Sequence, residues 1–366
     1  MLGRILTSVN KQNLFLPVCA ANTSNITATI TRFYKTMVLI KDIKFKDPNW
    51  RPKVLVTHND VPETGLKLLR EKCEVTVVKT NERSELLQKV KGMDGIFWGS
   101  HQKLDAEALD LAGPQLKAIS TMSVGIDYVD LDEVKRRKIP LGYTPDVLND
   151  AVADIGVGLA IAASRRFHEG RQKIESSDWQ RRQQWLLGQE IRDSTVGIVG
   201  FGAIGETIAK RLTGFNVGQF LYCGHRPKPA AEKYNAKFVP FMDLVAQSDF
   251  VIIICPLTNE TRKMFNAEVF SKMKPSSVLI NVARGDIVDQ EALYDALKNN
   301  KIFSAGLDVM SPEPLPADHP LLTLPNCFII PHLGSATIRT RNDMSSLAAM
   351  NVLCGLAGEP MNAPAY

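Results

Sequence analysis

Three polar residues in the C-terminal part of the chain, Arg284, Glu313 and His332, supply the side chains that reduction of a small keto acid requires. An arginine can grip a carboxylate and polarise a ketone. An imidazole can protonate the alkoxide as it forms, and a carboxylate beside the imidazole favours its charged form. Upstream, the apolar run 196–199 leads straight into Gly200-Phe-Gly202-Ala203-Ile204-Gly205 and a helical stretch through Arg211. The first glycine permits a tight turn, the second lets backbone approach a pyrophosphate, and the third lets helix and strand pack closely. Phosphate oxygens would then meet free N–H groups and the positive dipole at the helix start. Each signal is weak alone; their order and spacing point together to hydride transfer from a dinucleotide.

The choice of dinucleotide follows from the next strand. An acid for the ribose 2′-hydroxyl is expected about 20 residues beyond the glycines. The segment there reads Leu221-Tyr-Cys-Gly224-His225-Arg226 and contains neither Asp nor Glu. Gly224 makes room, and Arg226, with His225 and Lys228, can meet a 2′-phosphate, which a guanidinium binds bidentately. The expected cofactor is NADP(H) in preference to NAD(H).

These side chains need a scaffold, and the hydropathy pattern supplies one. Strand-like runs at 53–57, 75–78, 95–98 and 116–120 alternate with helical ones at 62–72, 83–90 and 105–112. A long Ala- and Gly-containing helix over 150–167 follows, then a polar stretch, 169–188, that carries Trp179 and Trp185. A second series places strands near 195–199, 219–223, 250–255, 278–282, 304–307 and 327–330. Such alternation predicts α/β architecture: two doubly wound parallel-sheet domains. The last helix, 338–356, has nowhere to pack in the second series and is expected to return to the first. The expected domains are therefore a discontinuous substrate domain, 46–148 with 338–366, and a dinucleotide domain, 149–337. Arg284 and His332 each follow a buried strand at its carboxyl end, where open α/β sheets bind ligands. Glu313 lies between prolines in Ser311-Pro-Glu313-Pro, a stiff support for a carboxylate. Trp185 reads equally well as a pocket wall or as loop packing.

Composition narrows the class. The chain has 366 residues and a net charge of +5 from 44 basic and 39 acidic side chains. Residues 1–41 hold five of the basic side chains and no acid, so the remainder is balanced. No nucleic-acid partner and no membrane span are expected, and six cysteines without a Cys-x-x-Cys pair give no disulfide framework or metal site. The Ser-, Thr- and Asn-rich segment 1–45 has the composition of a mitochondrial transit peptide. A tail without an address, and a shorter cytoplasmic form starting at Met37, are the alternatives.

With these residues in view, the chain from about residue 52 onward resembles the D-isomer-specific 2-hydroxyacid dehydrogenase family. The resemblance rests on the glycine turn, Asn281-Val-Ala-Arg284-Gly-Asp286, Asp308-Val-Met-Ser-Pro-Glu313-Pro and Pro331-His332-Leu-Gly334-Ser335-Ala-Thr337. It also rests on spacing, 29 residues from Arg284 to Glu313 and 19 more to His332. It implies a flavodoxin-like substrate domain beside a Rossmann NAD(P) domain. It also implies His332 as acid/base with Glu313 as partner, and Arg284 on the substrate carboxylate and carbonyl. Val124 and Gly125 would grip that carboxylate through backbone N–H groups, with Ser335 nearby. Asp308 would meet the nicotinamide carboxamide, and Pro256 and Gly334 would line the cofactor. Within the family, Thr121-Met-Ser-Val124-Gly125-Ile-Asp127, the segment through Arg226, and Gly358-Glu-Pro-Met361 are similar to the branch that reduces glyoxylate and hydroxypyruvate, implying a homodimer. Reduction of another small 2-keto acid, and a non-enzymatic co-repressor on the same fold, are the competing readings. Formate dehydrogenases of the superfamily carry Gln where Glu313 stands.

Overall fold

Short segments of two to five residues, most of them rich in Val, Ile, Leu or Phe, become the strands of two parallel sheets. The computed structural model describes residues 43–366, so the expected leader lies, except for its last positions, outside the described residues. Within Phe45–Tyr366, the first sheet comprises β1 (Lys53–Val56), β2 (Glu74–Val77), β3 (Gly95–Trp98), β4 (Ala118–Thr121) and β5 (Leu141–Gly142), in the order β2-β1-β3-β4-β5. The second comprises β6 (Thr195–Val199), β7 (Gln219–Cys223), β8 (Lys237–Phe238), β9 (Phe250–Ile253), β10 (Val278–Asn281), β11 (Ser304–Leu307) and β12 (Cys327–Ile329). Its order is β12-β11-β10-β9-β6-β7-β8. Every pairing is parallel. All residues of β3, β4, β9, β10 and β11 are buried. Helices cover both faces of such strands, so their sequences read as continuous apolar runs rather than alternations.

Both sheets reverse their strand order once, between β1 and β3 in the first and between β6 and β9 in the second. A crevice opens at such a point, beyond the carboxyl ends of the strands. These two places position the chemistry described below.

The long helix expected over 150–167 is two helices, Asn149–Ser164 and Phe167–Glu175. Arg166 between them has φ 56°, a left-handed conformation that cannot continue a right-handed helix. The second helix takes up part of the stretch read as a polar loop. Asn149–Ser164 packs against the helix Ala203–Leu212 and against β10 and β11, which explains its nearly all-round apolar composition. The strand expected to run to Cys255 ends at Ile253, three residues before Pro256, which has no N–H to give a ladder. Strands β5 and β8, two residues each, are too short to leave a periodic signal.

Helix Ile338–Ala357 lies against the helix Glu63–Lys72 and strands β3 and β4. Asn351, fully buried on it, pins the contact. Its Nδ2 donates to Ser120 Oγ (3.2 Å) and to the Tyr143 carbonyl (3.0 Å), while its Oδ1 accepts from the Ala363 N–H (3.1 Å). A buried carboxamide is tolerated because these bonds replace the ones it made to water.

Candidate active site

The glycine turn forms as its sequence requires. Gly200 leaves β6 with φ 98°, a left-handed value open to glycine, and its N–H donates to the Cys223 carbonyl at 3.0 Å. A Cβ on Gly205 would lie 2.4 Å from the Gly200 carbonyl oxygen, so helix and strand touch only because that side chain is missing. Gly202 is the N-cap of helix Ala203–Leu212 and no side chain among the described residues caps the helix, leaving the first N–H groups, around Ala203 and Ile204, for an anion. A Cβ on Gly202 or Gly224 would meet nothing within 4 Å, so the backbone there is open to approach. The residues present therefore fit a dinucleotide pyrophosphate. Beyond β7, His225 and Arg226 are exposed, and Arg226 makes no ion pair among the described residues. Pro256 follows β9, its carbonyl accepting from Thr261 Oγ1 at 2.8 Å.

Arg284 comes off β10. Buried Asn281 shapes the turn, donating from Nδ2 to the Arg284 carbonyl (2.9 Å) and accepting the Ala283 N–H (3.1 Å). The guanidinium crosses to the loop after β4, where Nε donates to Asp127 Oδ1 at 2.9 Å, and Nη1 donates to the Ala283 carbonyl at 2.8 Å. It lies so close to Gly125 that a Cβ there would be 1.7 Å from Nη2. In that loop, Ser123 Oγ donates to the Gly125 carbonyl (2.8 Å) and so accepts from the Tyr128 hydroxyl (2.6 Å). Burial raises the Tyr128 phenol above its ordinary pKa, so it stays neutral and donates. No protein acceptor among the described residues takes the N–H groups of Val124 and Gly125. Two free N–H groups beside a guanidinium are suited to a carboxylate.

His332 follows β12 with φ 53°. Its N–H donates to the Asp308 carbonyl (2.8 Å), and the buried Asp308 carboxylate accepts from the N–H groups of Leu333 and Gly334. Asp308 thus fixes the turn that presents His332, and burial raises its carboxyl above the usual range despite those bonds. Ser335, half-buried, ends the turn, its carbonyl accepting the Thr337 N–H at 2.9 Å. His332 Nδ1 meets Glu313 Oε2 at 2.8 Å, and Glu313 Oε1 accepts the Met310 N–H at 2.9 Å. Burial pushes the Glu313 carboxyl up, but the bonds from His332 and Met310 and the His332 charge outweigh it and hold it below the usual carboxylate range. An ionised carboxylate only accepts, so Nδ1 carries a proton and Nε2 is the ring atom left for a ligand.

The protein thus carries a positive clamp with two free N–H groups, a carboxylate-backed imidazole and a dinucleotide turn, a combination that comparison with known proteins places. Residues 157–334 match the NAD-binding domain of D-isomer-specific 2-hydroxyacid dehydrogenases. The glyoxylate reductase/hydroxypyruvate reductase of Homo sapiens is 49% identical over 315 residues, 84% of this chain and 96% of that protein. The chain belongs to the D-isomer-specific 2-hydroxyacid dehydrogenase family. The glyoxylate reductase of Thermofilum pendens is 43% identical, over 84% of this chain and 93% of its own. Among solved structures, an NADPH-dependent glyoxylate/hydroxypyruvate reductase from Sinorhizobium meliloti, in complex with NADP and malonate, superposes with a TM-score of 0.77 at 33% identity, covering 86% of this chain and 97% of that one. As a 2-hydroxyacid dehydrogenase, the protein is an oxidoreductase acting on the CH–OH group with a nicotinamide dinucleotide.

Sequence reasoning missed three neighbours of this dehydrogenase site. Asp127, two residues after Gly125, holds Arg284; the family motif contained it but gave it no task. Tyr128 braces the Gly125 loop through Ser123. His101, after β3, has its ring centroid 6.3 Å from that of His332. No local pattern flags His101, because its neighbours come from distant parts of the chain. Trp185 is half-buried, and among the described residues no hydrogen bond or ring contact ties it to the constellation.

Proposed function

We propose that the protein reduces glyoxylate and hydroxypyruvate to glycolate and D-glycerate, with NADPH as the preferred reductant and His332 as proton donor. The observation that carries this reading is the 2.8 Å His332–Glu313 pair, which leaves Nε2 without a hydrogen-bond partner among the described residues; the His332 ring is 6.3 Å from that of His101, itself 6.4 Å from Tyr128 of the Gly125 loop that Arg284 meets. The Val124 and Gly125 N–H groups and Arg284 hold the substrate carboxylate, and Arg284 also polarises the carbonyl. The bound dihydronicotinamide supplies the hydride. His332 donates its Nε2 proton to the forming alkoxide, and Glu313 stabilises the imidazolium before transfer. Asp308, its second lone pairs free, orients the nicotinamide carboxamide while it fixes the His332 turn, and Ser335, Gly334 and Pro256 line the remaining walls.

The cofactor preference rests on the exposed Gly224-His225-Arg226 segment without an acid on the strand end. Glu260 lies within electrostatic reach of His225, yet it comes from another loop, and among the described residues Arg226 makes no ion pair. Initial rates with each acid, paired with NADPH and with NADH, test the whole reading; turnover of neither would overturn it. Arg226→Ala is expected to raise the KM for NADPH about tenfold or more, as loss of a charge-assisted contact does, with little change for NADH. Equal effects on the two cofactors would sink the 2′-phosphate role.

Residues 1–45 are proposed to direct the protein to mitochondria, on the basic composition of the segment and the absence of any acid from residues 1–41. A homodimer is proposed on the exposed apolar side chains Phe167, Ile174, Trp179 and Leu187, which lie together in sequence beyond the Asn149–Ser164 helix. Protein recovered from mitochondria should be shorter than the full chain and sediment as a dimer. A full-length monomer confined to the cytosol would refute both.

A further inference from the structure

Beyond the clamp and the proton donor, one side chain faces the same cleft with no task assigned. His101 lies three residues past the end of β3, at the reversal of strand order in the first sheet, where a crevice is expected. Its ring sits between two members of the site, with centroids 6.4 Å from Tyr128, edge to face, and 6.3 Å from His332. No hydrogen bond among the described residues engages its ring nitrogens. Solvent reaches the residue, so its donor and acceptor are available to a ligand. The crowding walls of the cleft push its pKa below the ordinary imidazole value; the charges of His332, Arg284 and His58 add to this, and only Glu313 opposes it. At neutral pH the ring is therefore uncharged, one nitrogen donating and the other accepting.

A 2-keto acid carries three groups on its reacting carbon. The carbonyl oxygen is taken by His332 and Arg284, and the carboxylate by Arg284 and the Val124–Gly125 loop. The third group, hydrogen in glyoxylate and CH2OH in hydroxypyruvate, must face a remaining wall. That wall joins the loop braced by Tyr128 to the turn that carries His332, and His101 stands between them. We propose that His101 is a specificity-determining residue that hydrogen-bonds the C3 hydroxyl of hydroxypyruvate and contributes nothing comparable to glyoxylate. A neutral imidazole suits a hydroxyl, which both donates and accepts. Tyr128 orients the ring, and the distance to His332 keeps it outside the proton transfer itself.

This inference rests on the proposed substrates, and its test separates the two. kcat and KM are measured for both acids with NADPH in the wild-type protein, His101→Ala and His101→Gln. NADPH binding and the melting temperature serve as checks on folding. In the alanine variant, kcat/KM for hydroxypyruvate is expected to fall about tenfold, the loss of one hydrogen bond at the upper end of its usual worth, and that for glyoxylate to change less than about twofold. Glutamine also carries a donor and an acceptor and should recover much of the hydroxypyruvate rate. An equal loss for both acids, no loss for either, or a glutamine variant as poor as alanine would overturn the role of His101 while leaving the proposed reaction intact. A wild-type protein that binds NADPH but reduces neither acid would overturn the reaction and this inference with it.

Discussion

Replacing His332 with asparagine is expected to lower kcat for keto-acid reduction by about 10²- to 10⁴-fold, the range for loss of a positioned general acid, and to leave dinucleotide affinity unchanged. Asparagine is the substitution of choice because His332 sits at φ 53°, a left-handed conformation that asparagine tolerates better than most side chains. Alanine or a β-branched residue would mix backbone strain with lost chemistry. Among the described residues the imidazole hydrogen-bonds only Glu313, while the turn itself is secured by Asp308 through backbone N–H groups, so the fold should survive. Glu313→Gln cuts less deeply. It keeps a group at the Nδ1 position but removes the charge that favours imidazolium. kcat should therefore fall, though less than in His332→Asn, and the loss relative to wild type should shrink as pH drops through the depressed Glu313 value, where the wild-type protein loses that charge as well. The sign follows from Glu313 itself. Its carboxyl is held below the ordinary range in the folded protein, so the contribution of its ionised form is present above that range and fades as pH falls through the depressed value. The double variant should be little worse than His332→Asn alone, because the two residues act as one unit. A His332→Asn protein within about tenfold of wild-type kcat would assign proton donation elsewhere.

What the sequence made legible follows from how local each signal is. The glycine turn could be read because strand, glycines and helix are contiguous, and every constraint on Gly200 and Gly205 comes from neighbouring backbone. The buried parallel strands could be read because apolar runs on both faces leave no other soluble arrangement. The break at Arg166 could not, since nothing in its side chain demands a left-handed backbone. Strands β5 and β8 are set by the neighbours they pair with rather than by their own two residues. In the site, Arg284, Glu313 and His332 stood out as motif residues, but their supports were hidden. Asp127 meets Arg284 across 157 positions, and His101 reaches His332 only because β3 and β12 end at one cleft. Contacts of that kind are products of topology, and a single chain carries no periodicity that announces them.

The Gly125 loop gives the second large effect. Gly125→Ala places a methyl where the Arg284 guanidinium now lies, 1.7 Å from Nη2 and 2.6 Å from Cζ, and 3.0 Å from Asp127 Oδ1. Two of these atoms belong to the far end of a long, flexible side chain on the other sheet. Relief is therefore available without unfolding: the guanidinium moves, and the cost falls on its alignment. A displacement of about 1 Å in a group that positions substrate is enough to cost about 10²-fold in rate, and that is the expected loss in kcat/KM for both acids. The melting temperature should stay within a few degrees, because neither Gly125 nor Arg284 belongs to a buried core. Dinucleotide binding should be untouched, since the glycine turn lies on the second sheet. Arg284→Lys is the companion test: it keeps the charge and frees the space but loses the planar fork that can serve carboxylate, carbonyl and Asp127 together. If placement of the fork is what matters, both variants lose kcat/KM to a similar degree, and the double variant loses little more because they damage one interaction. If Gly125→Ala retains activity within about threefold, the close approach of guanidinium and loop does not govern catalysis, and the carboxylate is held by a different part of the cleft.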